Sequence, residues 1–308
     1  MNQNFIAFYG QPNLYCLQKE SGMEEKIYTG ILTQKDNSTF LTDSRGRRHF
    51  EREKIWSGYV AHWLGKKVNA RYVRQKDYDT GRNIVIMRPH TEPSAVPFVE
   101  LYYNERLVKY KFSLLGHLAI NVNGGIFNFS HLINENEIIS EEEYFYRPAL
   151  GEFAPHPVTG RFNVEDKTRP YYDKFGRNFM RTIHVLRMEG VDAGRLGAYY
   201  KTVLSEIVAA PDPKRPEKYR DFSLFTRSCV TIIRDGLLGY GFRDLKGIFP
   251  RDFFINAAYN LLKLNGSDSL QVKLFRMPQL KVPEALYSAL TVITNPINRV
   301  LAGRLPDY

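Results

Sequence analysis

Residues 27–90 contain short runs in which apolar and polar positions alternate, as they do in half-buried β-strands. Turn residues separate these runs, and 56–65 instead has the spacing of a short helix. The alternating runs are 27–34, 39–44, 45–53, 66–75 and 82–90. Five short strands with one helix between the third and the fourth are typical of a small barrel of the OB type. The pattern therefore predicts an OB-like β-barrel module at 26–92, after a polar lead-in at 1–25.

Residues 90–97 contain two prolines and no apolar periodicity, which is typical of a linker. Beyond the linker, the run GHLAINVNGGIFNFS at 116–130 predicts a β-hairpin, because turn residues divide two alternating stretches. A further strand is predicted at 181–188, whereas 134–180 has the irregular pattern of a segment that wraps a surface. We therefore expect an antiparallel sheet in the second half of the chain.

Apolar residues at helical spacing predict helices in the same half of the chain. One helix is predicted at 192–210, one begins at Cys229, one lies near 250–264 and one near 283–292. The first would bury a face formed by Leu196, Tyr199, Tyr200, Val203, Leu204 and Ile207. Together these elements predict an α+β protein whose second domain spans 97–308.

The composition is that of a soluble globular protein, with 43% hydrophobic and 25% charged residues in a chain of 308. That length suits one or two domains. The formal net charge of +10 favours an anionic partner, such as a nucleic acid, an acidic glycan or a phospholipid surface. A charge that is spread evenly and serves only solubility is the alternative.

The predicted barrel module combines an excess of basic residues with many aromatic side chains. This combination can bind a single-stranded nucleic acid, a glycan or another anionic polymer through stacking and charge. The aromatic residues are Tyr28, Phe40, Phe50, Trp56, Tyr59, Trp63 and Tyr72. The alternative is that they form the hydrophobic core of the module.

Cys16 and Cys229 are the two cysteines of the chain, too few for a disulfide framework or a Cys-rich zinc site. No metal-ligand or phosphate-loop motif has the required spacing, so we predict no metal and no other cofactor. The N-terminus lacks the features of a signal peptide, and no run of about 18 apolar residues could span a membrane. We therefore expect a cytoplasmic protein, unless a specialised secretion route exports it.

The segment FTRSCVTIIRDGLLG at 225–239 places Cys229 in the first turn of a predicted helix, where Thr226 or Ser228 could be the cap. The partial positive charge and free amides of a helix start favour a thiolate. The same amides could hold an oxyanion that forms beside the sulfur. Arg227 could also favour the thiolate, or bind an anionic substrate. The alternative is that Cys229 is a small buried apolar residue.

A nucleophilic cysteine needs a base, and His117 is the best placed of the seven histidines. It begins the first strand of the predicted hairpin, on a face of small or polar residues that could line a cleft. If the turn has two central residues, at 123–124 or at 124–125, Asn128 and Ser130 lie on the same face as His117. Either could then orient the imidazole, as the third member of a triad does. A three-residue turn would break this inference, and a structural histidine is the alternative.

Together, GHLAINVNGGIFNFS at 116–130 and SLFTRSCVTIIRDGL at 223–237 resemble the circularly permuted, NlpC-like branch of the papain-like cysteine hydrolases. In that branch a histidine on a strand precedes a cysteine that opens a helix, and lecithin:retinol acyltransferase-like proteins share this order. The sequence looks most similar to an uncharacterised bacterial domain family with a GH strand and an NC[TV]T helix start. The resemblance covers roughly residues 97–265, and it departs at Ser228, where Asn is expected.

The resemblance implies that Cys229 is the nucleophile and that His117 is the base. The third catalytic position is carried over to Asn128, ahead of Ser130 and His131. The predicted substrate-binding residues are Ser130, His131, Glu152 and Arg227. For Glu152, packing within its own loop is the alternative.

The expected activity is that of a cysteine hydrolase or acyltransferase that forms a thioester intermediate. Its expected substrate is an amide bond in a peptide or cell-wall peptide, and a lipid ester is the second candidate. The alternative from another class is a non-catalytic protein that binds nucleic acid or glycan through its N-terminal module. The sequence predicts no oligomeric state.

Overall fold

The computed structural model describes residues 26–77, 80–92, 94–105, 115–146, 182–267, 269–277 and 293–308. Within these residues the chain forms two six-stranded sheets, one two-stranded sheet and five α-helices, so the fold is mixed α+β as predicted. The lead-in at 1–25 and the helix predicted near 283–292 lie outside the described residues. In the part of the chain that the structure describes, no helix has the length and apolar character needed to cross a membrane.

The first sheet is built from short strands and contains one helix, α1 (Ser57–Trp63), between its fourth and fifth strands. Its strands are β1 (Tyr28–Lys35), β2 (Ser38–Thr42), β3 (Arg48–His49), β4 (Lys54–Ile55), β5 (Lys67–Lys76) and β6 (Asn83–Pro89). Their order is β3-β2-β1-β5-β6-β4, and only the β4–β6 pair is parallel. The expected count of five strands is wrong, because β3 and β4 have two residues each and are too short to show an alternating pattern.

Most aromatic side chains of the first sheet belong to its hydrophobic core. Tyr59 and Trp63 stack with their ring centroids 5.2 Å apart. Tyr28 is half-buried and Tyr72 is 39% exposed. The aromatic residues that expose 5% or less of their surface are Phe40, Phe50, Trp56, Tyr59 and Trp63. For these five, the alternative that they form the core is confirmed.

The second sheet is fully antiparallel and has the order β10-β9-β8-β7-β11-β14. Its strands are β7 (Phe98–Asn104), β8 (His117–Val122), β9 (Gly125–Asn128), β10 (Glu137–Ser140), β11 (Ile183–Glu189) and β14 (Gln271–Arg276). The small hairpin consists of β12 (Pro211–Asp212) and β13 (Arg215–Tyr219). The remaining helices are α2 (Ala193–Val208), α3 (Cys229–Tyr240), α4 (Pro250–Leu262) and α5 (Pro296–Ala302).

The predicted hairpin at 116–130 is present as β8 and β9. Asn123 and Gly124 form its turn with φ values of 51° and 89°, so Val122 pairs directly with Gly125. This is the first of the two registers that the sequence allowed. Because the register continues to the Ala119–Asn128 pair, Asn128 lies on the same face of the sheet as Ala119 and His117.

Helices α2, α3 and α4 cover the other face of the second sheet, where Leu118 and Ile120 of β8 are fully buried in the main hydrophobic core. Tyr200 of α2 is also fully buried, and its hydroxyl donates to the carbonyl of Ile233 in α3 at 3.0 Å. The predicted apolar face of α2 is wrong at Tyr199, which is 38% exposed. The core therefore fixes α3, and with it Cys229, against the strand that carries His117.

The two sheets touch through a π-helical turn, Glu142–Tyr146, that follows β10. Arg71 of β5 donates from Nε to Glu142 at 2.6 Å and also pairs with Glu143. The hydroxyl of Tyr59 donates to the carbonyl of Tyr146. Because Arg71 and Glu142 are both buried, their ion pair stabilises the contact between the two sheets.

Candidate active site

Gly116 explains why a glycine precedes His117 at the start of β8. Its φ is 78°, a conformation that costs little only for glycine. A Cβ at this position would lie 2.6 Å from the carbonyl oxygen of Asn104 and 2.8 Å from the ring of Tyr103. Any larger residue would therefore displace the start of β8, and the side chain of His117 would move with it.

Cys229 is the first residue of α3, as predicted, and Ser228 is the N-cap residue with extended backbone angles. Ser228 N–H donates to Oγ1 of Thr231 at 2.8 Å, which is one half of a capping box. The hydroxyl of Thr231 also donates to the carbonyl of Ser228 at 3.2 Å, so Thr231 holds the residue before Cys229 from within the first turn of α3.

Cys229 is a free cysteine that is partly accessible to solvent, and its thiol lies near several backbone amides. Burial raises the pKa of the Cys229 thiol, and the amides of Leu118, Val230 and Cys229 itself oppose that increase. Burial has the larger effect, so the resting group is a neutral thiol at neutral pH. The helix-start amides thus favour the thiolate, as expected, but burial outweighs them, and a nucleophilic role for Cys229 would need a base.

His117 is oriented by Asn128, the residue that the hairpin register places beside it. Nε2 of His117 lies 2.6 Å from Oδ1 of Asn128, whose Nδ2 donates to the carbonyl of Glu135 at 2.7 Å. The second contact fixes which atom of the Asn128 amide is the acceptor, so His117 donates from Nε2. In the neutral ring Nδ1 then carries the lone pair, which is the state that a general base requires.

The Leu118 amide lies near enough to the Cys229 thiol to oppose the rise of its pKa, and this proximity links the two halves of the site. Leu118 follows His117 directly in β8, and α3 packs against this strand. The sulfur therefore lies beside the residue next to the imidazole, and Asn128 reaches the same end of the sheet through β9. His117, Asn128 and Cys229 thus lie near one end of β8, although the first and the last are 112 positions apart in the sequence.

Ser130 stabilises the loop after β9. Its hydroxyl donates to Glu135 Oε2 at 2.7 Å, and its N–H donates to Oδ1 of Asn136 at 3.1 Å. Glu135 is also the residue whose carbonyl holds Asn128. Through Glu135, Ser130 therefore helps to stabilise the position of the Asn128 side-chain amide.

His131 and Arg227 lie on the side of the site where the chain approaches α3. The ring of His131 is 5.7 Å from that of Phe222, and burial lowers the pKa of His131. Arg227 pairs with Glu206 of α2 at 3.2 Å, and its buried Nε makes no hydrogen bond. The guanidinium of Arg227 is thus directed toward α2. The groups that oppose the rise in the pKa of the Cys229 thiol are backbone amides. Glu152 lies outside the described residues.

Tyr219, at the end of β13, is a site residue that the sequence does not reveal. Its hydroxyl donates to the carbonyl of Arg227 at 2.7 Å, which fixes the chain two residues before Cys229. Burial raises the pKa of Tyr219, Arg227 opposes this, and the nearby Cys229 adds to it. Tyr219 stands in a polar, proline-containing stretch with no periodicity, so no pattern predicts that it is buried beside the thiol.

Other histidines show what the structural alternative for His117 looks like. Nε2 of His49, at the end of β3, lies 2.9 Å from the carboxylate of Asp43 in a partly buried pair. His184 is held on both nitrogens, at 2.7 Å by Glu105 and at 2.8 Å by the hydroxyl of Tyr308. Both of these histidines have a carboxylate partner, whereas the hydrogen bond of His117 is to the side-chain amide of Asn128.

Metal-ligand clusters and cavities are two other kinds of feature that could form a site. Among the residues in the described ranges, no three His, Cys, Asp or Glu side chains are grouped so that they could hold a metal ion. A cavity of about 240 Å³ lies near the start of β11 and is lined by Tyr103, His184, Arg251 and Arg276, among others. Its lining includes none of the residues that the sequence predicts to form a site.

Comparison of the chain with protein-family models, with curated proteins and with solved structures found no match.

Proposed function

We propose that the chain is a cysteine-dependent acyl hydrolase or acyltransferase with a permuted papain-like domain at 97–308. Cys229 is the nucleophile, His117 the base and Asn128 the residue that orients the base. The observation that carries the proposal is the fixed tautomer of His117, held by Asn128 within one residue of the thiol contact at Leu118. A general base needs such a tautomer, in which the proton lies on the nitrogen that the orienting residue binds.

The proposed reaction begins with a neutral thiol and a neutral imidazole. Nδ1 of His117 takes the thiol proton as the sulfur attacks the carbonyl carbon of an amide or ester. The amides at the start of α3 hold the oxyanion of the tetrahedral intermediate. When the C–N or C–O bond breaks, His117 returns the proton to the leaving group and a thioester remains on Cys229. Water or an acceptor alcohol or amine, deprotonated by His117, then attacks the thioester and releases the thiol.

An amide bond in a peptide or cell-wall peptide is the first proposed substrate, and a lipid ester is the second. The proposed fold of the N-terminal module at 26–92 is OB-like. A role for this module in binding nucleic acid or glycan has less support, because five of its aromatic side chains are buried in the core. Tyr28 and Tyr72 remain as partly accessible rings for such a role.

Acyl-enzyme trapping tests the proposal directly. The protein with Cys16→Ser is mixed with p-nitrophenyl acetate at neutral pH, and the peptide that contains Cys229 is examined by mass spectrometry. We expect one acetyl group on Cys229, formed together with a burst of p-nitrophenol. Cys229→Ser should lose both the burst and the adduct, and His117→Ala should form the adduct much more slowly. A burst that survives in Cys229→Ser would contradict the proposal.

A further inference from the structure

The segment that leads into α3 exposes three large apolar side chains. Phe222, Leu224 and Phe225 are 39%, 40% and 59% exposed. Each lies within seven residues of Cys229. Scattered exposed apolar residues are normal, but three such residues in four positions beside a nucleophile form a local apolar surface.

This segment has a well-defined backbone. Ser223 and Arg227 exchange both backbone hydrogen bonds, at 3.2 Å and 2.9 Å, and thereby close a tight loop. Thr226 N–H donates to the hydroxyl of Ser223 at 3.2 Å, and the hydroxyl of Tyr219 holds the carbonyl of Arg227. The loop therefore holds Leu224 and Phe225 outward on a fixed base.

Phe222, at one end of this surface, contacts residues near the thiol. The ring of Phe222 contacts that of Tyr219 edge-on, with centroids 5.7 Å apart, and lies 5.7 Å from the ring of His131. Tyr219 is in turn close enough to Cys229 for the charge of a thiolate to raise its pKa. Phe222 thus lies against Tyr219, whose hydroxyl holds the chain two residues before Cys229.

We propose that Phe222, Leu224 and Phe225 form a binding subsite for an apolar group of the substrate, next to the bond that Cys229 attacks. This inference rests on the proposed function. The shared chemistry is a hydrocarbon group close to the scissile carbonyl, which could be an apolar side chain of a peptide or the acyl chain of a lipid ester. On binding, such a group would remove apolar surface of both partners from water.

Alkylation of Cys229 tests this subsite without requiring turnover. The protein with Cys16→Ser reacts with iodoacetamide and with its N-benzyl, N-hexyl and N-dodecyl derivatives, and each rate is divided by that of free glutathione. We expect the apolar reagents to react about tenfold faster than iodoacetamide after this correction, because apolar contact raises their local binding. A preference that peaks at benzyl indicates a side chain, and one that grows to dodecyl indicates an acyl chain.

Leu224→Ser combined with Phe225→Ser should abolish this preference and leave the iodoacetamide rate unchanged. The matched control is Val300→Ser on α5, which removes an apolar side chain that is 56% exposed elsewhere and should change nothing. If iodoacetamide reacts in a His117-dependent manner but no apolar reagent is preferred, the subsite is wrong and the proposed function stands. If Cys229 is inert to every reagent, both are wrong.

Discussion

The two six-stranded sheets differ in the environment of their aromatic and polar side chains. In the first sheet, the aromatic residues that looked like a binding surface are packed inward, as Trp63 and Tyr59 show at 3% and 0% exposure. In the second sheet, the strand that starts with His117 holds polar side chains in specific hydrogen bonds. Asn121 of this strand is completely buried, and its amide donates to Glu141 at 2.7 Å.

The difference shows where chemistry can be located in this molecule. Aromatic side chains gain most by leaving water, so they are poor indicators of a site when a small module has no other core. A polar side chain in a sheet must instead be hydrogen-bonded, and its partner fixes its protonation state. The hydrogen bond between His117 and Asn128 is of this second kind. We therefore place the proposed reaction on the second sheet rather than on the first.

The largest contrast should come from Cys229→Ser and Tyr72→Ala. Loss of the nucleophile should lower the rate of ester or amide cleavage by on the order of 10⁴-fold, since the remaining residues cannot form a thioester. Tyr72 is exposed on the first sheet, and its loss should leave the rate within about twofold. The rates are compared under single-turnover conditions. Equal losses in the two variants would remove the distinction between the sheets.

Within the first sheet, loss of the Trp63 ring should lower stability much more than loss of the Tyr72 ring. Trp63→Ala removes a buried ring that stacks on Tyr59, and it should lower the free energy of unfolding by about 4 kcal/mol. Tyr72→Ala should cost less than about 1 kcal/mol because its ring is partly in solvent. Urea unfolding followed by circular dichroism measures both. If Trp63→Ala unfolds like Tyr72→Ala, the aromatic residues are not the core of the first sheet.

Two glycines of the β8–β9 region separate backbone strain from steric overlap. Gly116→Ala and Gly124→Ala both place a Cβ at positive φ, which costs about 1–2 kcal/mol. Only at Gly116 would the Cβ meet other atoms, whereas the space around Gly124 is open. Gly116→Ala should therefore be the more destabilising in urea unfolding, and it alone should slow the reaction. Equal effects of the two substitutions would argue against a constrained position for His117.

Asn128→Ala tests the orientation of the base. Without the acceptor, both tautomers of His117 become accessible, and the rate should fall by about 10²-fold with little change in KM. Asn128→Asp keeps an oxygen that can accept from Nε2, so it should retain more activity than Asn128→Ala and shift the pH–rate profile. Kinetics at several pH values distinguish this from a structural role, which would lower stability and leave the profile in place.

The smallest expected effect concerns Glu141, on the face of the second sheet opposite the helices. Burial raises the pKa of Glu141 above its ordinary 4.5, and the hydrogen bond from Asn121 opposes the increase. A carboxyl with a raised folded-state pKa is most favourable below its unfolded pKa and loses stability as pH rises through the folded value. Wild type should therefore become less stable relative to Glu141→Gln as pH rises above about 4.5. Thermal unfolding across this range checks the sign, and a pH-independent difference would contradict it.

The sequence predicts the elements of this fold best where one local pattern decides the outcome. The turn residues Asn123 and Gly124 define the hairpin, and with it the face shared by His117 and Asn128. The start of α3 at Cys229 follows from the polar-to-apolar change after Ser228. By contrast, β3 and β4 have two residues each and are too short for any periodicity.

The surroundings of the thiol depend on tertiary contacts and could not be predicted in the same way. Burial outweighs the helix-start amides at Cys229 because α3 packs into the core, which the local sequence does not show. Tyr219 reaches the carbonyl of Arg227 only because β13 folds back beside the loop before α3. The same limit applies to the aromatic residues of the first sheet, whose pattern suits a core and a binding surface equally well.

The most direct test of the central claim is the pH dependence of Cys229 alkylation by iodoacetamide, measured with Cys16→Ser and with Cys16→Ser combined with His117→Ala. Because burial raises the pKa of the Cys229 thiol, a base such as His117 should increase the rate at which it reacts near neutral pH. We predict faster alkylation at pH 7 when His117 is present, and a profile that moves to higher pH when it is removed. Superimposable profiles would contradict the proposed pair, and Cys229 would then be a buried structural residue.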